Sequence, residues 1–312
     1  MPYTNFPNGI TSFGVPTIGT GPFIPTGNIF FVSSVIGSNG NAGVAPSPTQ
    51  PLATIAFALT LCTANNGDII YCMPGHAESS AAASAINLNV AGVTIIGLGS
   101  GSVKPTLTLT TLTTATIAVT AANVTLANFN IVGDIAALVT AISVTAPNFN
   151  LQNCNFSNQV VGTHILTQTI LTSALATGLI INNCSIHYET ATTPSTSAIR
   201  LIGVNDAQIT NFYIGGSFTA SAIVGATTAS LGILIQNGTI VNTSTSTAGW
   251  INMITASTGN INNITGYSGA PTGNLATIIT VATATGLAIT QCFGATGAAA
   301  TNAGAFLGTV ST

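Results

Sequence analysis

The segments Val124-Thr-Leu-Ala-Asn128-Phe-Asn-Ile131 and Phe149-Asn-Leu-Gln-Asn153-Cys-Asn-Phe156 decide the fold, because they are two copies of one pattern. In each copy, apolar residues alternate with polar residues around a central asparagine. Further copies surround Asn183, Asn211, Asn237 and Asn263, a looser copy surrounds Gln291, and an earlier one has Gly97 at the central position. The steps from Gly97 to Gln291 are 31, 25, 30, 28, 26, 26 and 28 residues. A repeat of about 28 residues is typical of a solenoid.

The alternation has period 2, which indicates β-strands and not helices. A second alternating segment precedes most of the copies, as in Ala141-Ile-Ser-Val-Thr145 and Ala198-Ile-Arg-Leu-Ile202. Each coil therefore contains at least two short strands. We predict an all-β fold: a single-stranded parallel β-helix with about 28 residues per coil.

The central asparagines are predicted to form a structural ladder. Asn tolerates left-handed backbone geometry, and its amide group can bond to the coils above and below, as stacked amides do in cross-β arrays. The predicted ladder consists of Asn128, Asn153, Asn183, Asn211, Asn237 and Asn263.

Charged residues make up only 2% of the 312 residues, with five acids and two bases. Lys104 and Arg200 are too few to neutralise phosphates, so nucleic acid is not an expected partner. We expect the two bases to neutralise nearby acids. The scarcity of charge suits stacked coils, because a charge repeated in every coil would recur about every 4.8 Å.

No apolar run is long enough to cross a membrane, and the N-terminus has neither the basic nor the apolar part of a secretory signal. We therefore expect no membrane partner and assembly in a host cytoplasm. The five cysteines contain no CxxC pair, which predicts reduced structural thiols.

The N-terminal region differs from the repeats. Residues 1–28 are rich in Pro and Gly, lack the period and are predicted to form an extended arm that packs through Phe6, Phe13 and Phe23. Residues 29–312 are predicted to be one β-helix domain, with a cap over 29–80, coils over 90–295 and a C-terminal end over 296–312. Within the cap, the spacing predicts a short helix from Leu52 to Cys62.

The run "IFFVSSVIGSNGNAG…SPTQPLATIAFALTLCTANNGDIIYCMPGHAES", residues 29–79, resembles the N-terminal cap of right-handed parallel β-helix proteins of the pectate-lyase-like superfamily. The opening "TNFPNGITSFGVP" is similar to the leaders of phage structural proteins that carry such a cap. The resemblance implies a right-handed solenoid, a virion location and a homo-oligomer, with a trimer favoured.

The sequence contains few candidate catalytic or metal-binding residues. Asp134 and Glu189 each lie six residues after a ladder asparagine, which would place them two coils and about 9.5 Å apart, near the upper limit for an inverting glycosidase. We favour two solvated turn residues instead, because the turns after the strands vary in length and no third acid joins the pair. His76 and Glu78 are expected to form a polar contact in the cap, while His164 and His187 have no companion acid or Cys at metal-binding spacing, and we expect no metal and no cofactor.

These observations favour a non-enzymatic virion component: a capsid decoration, cement or head-fibre protein that is anchored to the major capsid protein or another virion protein by its arm. The alternative is a tail spike or fibre that binds or depolymerises a host glycan through Asp134 and Glu189. A surface adhesin is a third hypothesis.

Overall fold

The structure is a computed structural model and is a parallel β-solenoid. It describes residues 11–12, 15–16, 27–43, 47–158, 166–188, 194–244, 249–269, 279–281, 286–296 and 305–307. The predicted fold class is confirmed, since the chain is all-β and winds through about seven turns with a spacing near 28 residues.

The coils of the described part place their strands in three parallel sheets, which we call sheets A, B and C. Sheet A contains Ile29–Val32, Ile69–Cys72, Thr94–Gly97, Thr125–Ala127, Asn150–Gln152, Ile180–Asn182 and Gly286–Thr290. Sheet B contains Ala77–Ser80, Thr106–Leu109, Asn130–Gly133, Asn155–Asn158, Ser185–His187 and Cys292–Thr296. Sheet C contains Ile86–Leu88, Ile117–Val119, Leu138–Val144, Leu166–Thr172, Ser197–Leu201, Ser221–Gly225, Gly249–Met253 and Ile279–Val281.

Sheets A and B merge in the later coils. The long strands Gln208–Gly216, Ile233–Asn242 and Thr258–Ser268 run through the corner between the two sheets, so that each contributes its first half to sheet A and its second half to sheet B. Most coils thus have three sides, where the sequence indicated at least two strands per coil.

The strand pairing in sheet A has the same spacing as the sequence repeat. Thr94, Thr125, Asn150, Ile180, Gln208, Leu234, Asn260 and Ala288 are successive partners along the sheet. These positions are separated by the same steps as the ladder positions in the sequence. Coil length therefore varies in the corners while the strands stay in register.

The interior is one continuous apolar cluster that extends from Val32 in the first coil to Cys292 in the last. Sheet C contributes a column in which isoleucine recurs in every coil and is buried each time: Ile86, Ile117, Ile142, Ile170, Ile199, Ile223, Ile251 and Ile279. Identical β-branched side chains pack well on a pleated surface, so this column stabilises the stacking of one coil on the next.

The predicted capping helix is present but shorter than expected, spanning Ile55–Leu61. It begins after Thr54, whose side chain accepts a hydrogen bond from the Phe57 N–H and so acts as the N-cap. Leu52 lies before the helix because its backbone N–H bonds to Phe31 O and its carbonyl accepts from Ser33 N. The helix buries Ile55, Ala58 and Leu59 against the first coil.

Little of the predicted arm is described. Thr11–Ser12 and Val15–Pro16 pair antiparallel, and the extended arm stays a prediction. Phe6, Phe13 and Phe23 lie outside the residues whose side chains are described. At the other end, Ala305–Leu307 pairs antiparallel with Cys292–Thr296. Among the described residues, no helix is long and apolar enough to span a membrane.

We predict that Ile199→Ala lowers the free energy of unfolding by about 2–5 kcal/mol, because it opens a cavity in the isoleucine column. Ile199→Val keeps the β-branched shape and should cost only about 0.5–1.5 kcal/mol. Urea unfolding followed by circular dichroism measures both values. Equal losses for the two variants would contradict the packing role of this column.

Candidate functional site

The corner between sheets A and B is formed by the ladder asparagines. All six adopt a left-handed backbone conformation, with φ between 51° and 66°, and Gln291 continues the series at 53°. The residue after each of these positions turns into the core, as Phe129 and Cys154 do. Asn suits this corner because it tolerates positive φ better than other residues with a side chain.

The ladder amides bond between coils in two groups of three. In the first, Asn153 Nδ2 donates to Asn128 Oδ1 at 2.8 Å and Asn183 Nδ2 donates to Asn153 Oδ1 at 3.3 Å. In the second, Asn237 donates to Asn211 and Asn263 donates to Asn237, at 3.4 and 3.0 Å. Between the groups, Asn211 donates to Asn182 Oδ1 at 2.9 Å and not to Asn183. These bonds give the asparagines a structural use on the surface of the solenoid.

We predict that Asn153→Gly destabilises the chain by about 1 kcal/mol through the loss of two amide hydrogen bonds. Asn153→Ala should cost about 1–2 kcal/mol more, because alanine also strains the left-handed backbone. The two variants separate the hydrogen bonds from the backbone conformation when their free energies of unfolding are compared. If glycine proved as stable as the wild type, the side-chain ladder would contribute nothing.

The cap contains two buried polar clusters. Asp68 is fully buried and accepts hydrogen bonds from the N–H groups of Asn28 and Thr63, both at 2.6 Å, and from the Asn66 side chain at 2.7 Å. These three bonds hold the carboxylate in the structure of the cap.

The second cluster joins His76 to the capping helix. His76 Nδ1 accepts the Ser34 N–H at 3.0 Å, so the proton of the neutral ring lies on Nε2, which is 3.2 Å from Glu78 Oε2. The same carboxylate oxygen accepts the Ile55 N–H at 2.8 Å, and a carboxylate is favourable at the first turn of a helix. Asp68, His76 and Glu78 therefore stabilise the cap.

Lys104 is buried and forms no ion pair with any acid in the described part of the chain, contrary to our expectation. Its Nζ donates to the backbone carbonyl of Asn153 at 2.7 Å. Desolvation lowers the pKa of this amine. Lys104 thus supports the corner next to the asparagine ladder and is not placed to bind an anion.

The two carboxylates of the glycosidase hypothesis are not both described. Asp134 is half-buried, directly after strand Asn130–Gly133, and its N–H donates to Leu109 O. Glu189 lies outside the described residues, so the distance between the two carboxylates stays a prediction. Among the described residues, no group of three or more metal-ligating side chains comes together.

The described cysteines are free thiols, and Cys72, Cys154, Cys184 and Cys292 are buried. Burial raises the pKa of Cys154 to about 12 and that of Cys184 to about 11. These two thiols follow ladder positions in adjacent coils and pack in the core, which keeps them protonated.

We predict that the free energy of unfolding falls as the pH rises from about 9 towards 11, since unfolded thiols ionise near pH 8.5 and the buried ones do not. Urea unfolding at pH 8 and pH 10.5 measures this loss. The double variant Cys154→Ala/Cys184→Ala is the control and should lose less stability over the same interval. An identical loss in both proteins would contradict the assignment to these thiols.

A cluster of exposed aromatic side chains lies on the outer side of sheet B, and sequence reasoning missed it. We call it the aromatic surface: His187, Tyr213, Tyr267 and Phe293. The rings of His187 and Tyr213 are 6.2 Å apart between centroids and tilted by 32°. The tyrosines look scattered in the sequence, but Tyr213 and Phe293 both lie two residues after a ladder position, while His187 and Tyr267 both lie four residues after one. Aligning the repeats on the ladder would have revealed the cluster.

A cavity of about 300 Å³ opens beside Tyr213 and is lined by His187, Gly215, Val241 and Thr243 among others. Gly215 makes room for the tyrosine, because a Cβ atom there would lie 2.6 Å from Tyr213 Oη and 2.8 Å from Cε1. The Tyr213 ring therefore lies against the sheet instead of projecting from it.

In comparisons with known proteins, no family model, no curated protein and no solved structure matches the chain.

Proposed function

We propose that the chain is a non-enzymatic structural component of a virion, a capsid decoration, cement or head-fibre protein that its N-terminal arm anchors. The observation that carries the proposal is the fixed junction between arm and solenoid. Asp68 Oδ1 accepts the Asn28 N–H at 2.6 Å, and Asn28 O in turn accepts the Ile69 N–H at 2.9 Å. The arm thus leaves from a rigid point at the capped end.

The solenoid itself has the properties of a rod. One apolar core runs through its coils, and strand pairing between successive coils resists bending and separation. A rod that is held at one end presents its long faces away from the attachment point. This geometry suits a protein that decorates or extends a particle surface.

The capping helix supports the same interpretation. It covers the first coil with Ile55, Ala58 and Leu59, and a covered end does not add further coils by strand pairing. Attachment at this end therefore requires another element, and the aromatic arm of residues 1–28 leads into this end. The expected partners are the major capsid protein or other virion proteins, in a particle assembled in the host cytoplasm.

Membership of the pectate-lyase-like superfamily and a phage origin belong to this proposal. They are supported by the likeness of residues 29–79 to the cap of that superfamily and by the opening residues. The same likeness favours a homotrimer. Sedimentation analysis of the purified chain tests the trimer, and a monomer at micromolar concentration would contradict it.

We predict that the chain is found in stoichiometric amount on the capsids of purified particles, with residues 1–28 against the shell, when mass spectrometry is combined with electron cryomicroscopy. The triple variant Phe6→Ala/Phe13→Ala/Phe23→Ala should keep its thermal unfolding temperature but fail to bind particles that lack the protein. Leu175→Ala, which truncates an exposed side chain of the solenoid, is the matched control and should bind normally. Unimpaired binding of the triple variant would refute anchoring by the arm.

The alternative function is a tail spike or fibre that binds or depolymerises a host glycan. Density for the chain at the tail alone would favour it. Hydrolysis of a host capsule that disappears in Asp134→Asn/Glu189→Gln would assign the acid pair, and hydrolysis that persists in this variant would eliminate it.

A further inference from the structure

Two buried thiols occupy the same position in adjacent coils at the corner between sheets A and B. They belong to Cys154 and Cys184, which each directly follow a ladder asparagine. The register pairs Gln152 with Asn182 just before them, and Ser185 N donates to Cys154 O at 3.0 Å just after them. The two cysteines are therefore register partners, although they are 30 residues apart in the sequence.

The two sulfur atoms make equivalent contacts. Cys154 Sγ donates to the carbonyl oxygen two residues earlier at 3.3 Å and to Leu126 O, in the preceding coil, at 3.9 Å. Cys184 Sγ repeats this pattern, at 3.3 Å within its own coil and at 3.7 Å to Leu151 O in the preceding one. Leu126 and Leu151 are themselves register partners. The sulfur atoms are therefore displaced from each other by one coil, which is about 4.8 Å.

This separation decides which chemistry can join the two sulfur atoms. A disulfide bond requires about 2.05 Å between them, so the pair is not placed to form one. Metal–thiolate bonds are about 2.3 Å long, as in zinc sites, so two such bonds in line span about 4.6 Å. The spacing of the thiols thus matches a metal ion that two sulfur atoms coordinate from opposite sides.

The number of ligands selects the ion. Structural zinc sites have four ligands in a tetrahedral arrangement, whereas the described residues contain no group of three or more His, Cys, Asp or Glu side chains. Soft thiolate ligands favour Cu⁺, whose filled d shell accepts two ligands in line. The pair therefore fits Cu⁺ and not Zn²⁺.

Lys104 supplies the charge that such a site needs. Its buried amine donates to Asn153 O at 2.7 Å, directly before Cys154 in the chain. Burial raises the pKa of both thiols, and the nearby Lys104 ammonium lowers it. Two thiolates with one monovalent ion carry one net negative charge, which one ammonium offsets. The cluster thereby avoids the cost of a buried charge without a partner.

We propose that Cys154 and Cys184 form a binding site for one Cu⁺ ion, which lies in line between their sulfur atoms. On binding, each thiol releases its proton to solvent and forms one S–Cu bond, and no atom is oxidised or reduced. Lys104 is a positioning residue that offsets the charge and is not a ligand. The site joins two coils beneath the asparagine ladder and goes beyond the virion proposal.

The test adds one equivalent of Cu⁺ to the full-length, reduced chain under nitrogen. One sample stays folded and a second refolds from urea with the ion present, so that entry into the core does not limit binding. A chelator then removes loosely held copper. We expect native mass spectrometry to find one copper per chain, and X-ray absorption to show two sulfur ligands without nitrogen or oxygen. Zn²⁺ should not be retained under the same conditions.

Substitution of either cysteine should abolish the site. Cys184→Ala should weaken binding about a hundredfold or more, as Cys154→Ala/Cys184→Ala does, because even the loss of an outer-shell partner costs about 10–100-fold. Cys292→Ala is the matched control. Cys292 is buried in the same corner column and bonds in the same way to the carbonyl two residues earlier, but its partner in the preceding coil is Ile264. The control should bind one copper.

Lys104→Met removes the ammonium and keeps most of the aliphatic stem. It should weaken the binding of Cu⁺ about tenfold but not that of Hg²⁺, whose complex with two thiolates is neutral without an ammonium. An equal loss of both ions would overturn the role of Lys104.

Thermal unfolding confirms that each variant is folded. Retention of no copper by the wild type in either sample, equal retention of Zn²⁺, full binding by Cys184→Ala or loss of binding in Cys292→Ala would each overturn the proposal. None of these results depends on the arm, so the virion proposal is tested separately.

Discussion

The parallel register between coils is the constraint on which the rest of this structure depends. Each strand residue lies about 4.8 Å from its counterparts in the coils above and below. A side chain must therefore pack within its own coil and also against the residues at the same register position in the coils above and below. The buried isoleucines of sheet C and the asparagines of the A–B corner are the clearest results of this constraint.

The same constraint explains where the few charges lie. A column of like charges would repel along its whole length, so the described charges that carry clear structural contacts lie in the cap and the corners. Asp68 binds three donors in the cap, Glu78 joins His76 to the capping helix, and Lys104 supports a corner. These three charges fix the cap and a corner of the solenoid, whereas Arg200 lies within strand Ser197–Leu201 of sheet C.

Glycines decide where large aromatic side chains fit in the solenoid. Large rings enter the interior where a glycine in a neighbouring coil makes room, as Gly294 does for Trp250 and Gly238 does for Phe212. On the outer side of sheet B, Gly215 gives the same room to Tyr213, but there the ring remains exposed. The glycines of sheet B therefore decide both how the core is filled and how the aromatic surface is shaped.

The sequence by itself determined the solenoid, the spacing of its coils, the asparagine corner and the existence of a capping helix, because each depends on a local pattern that recurs along the chain. Only the tertiary structure decided the third sheet, the start of the helix at Ile55, the bond from Asn211 to Asn182 and the partners of Lys104. It also brought Tyr213 and Tyr267 to one surface, although 54 residues separate them in the chain. The physical reason is that coils differ in length, so contacts between coils depend on how the strands pair and not on distance along the sequence.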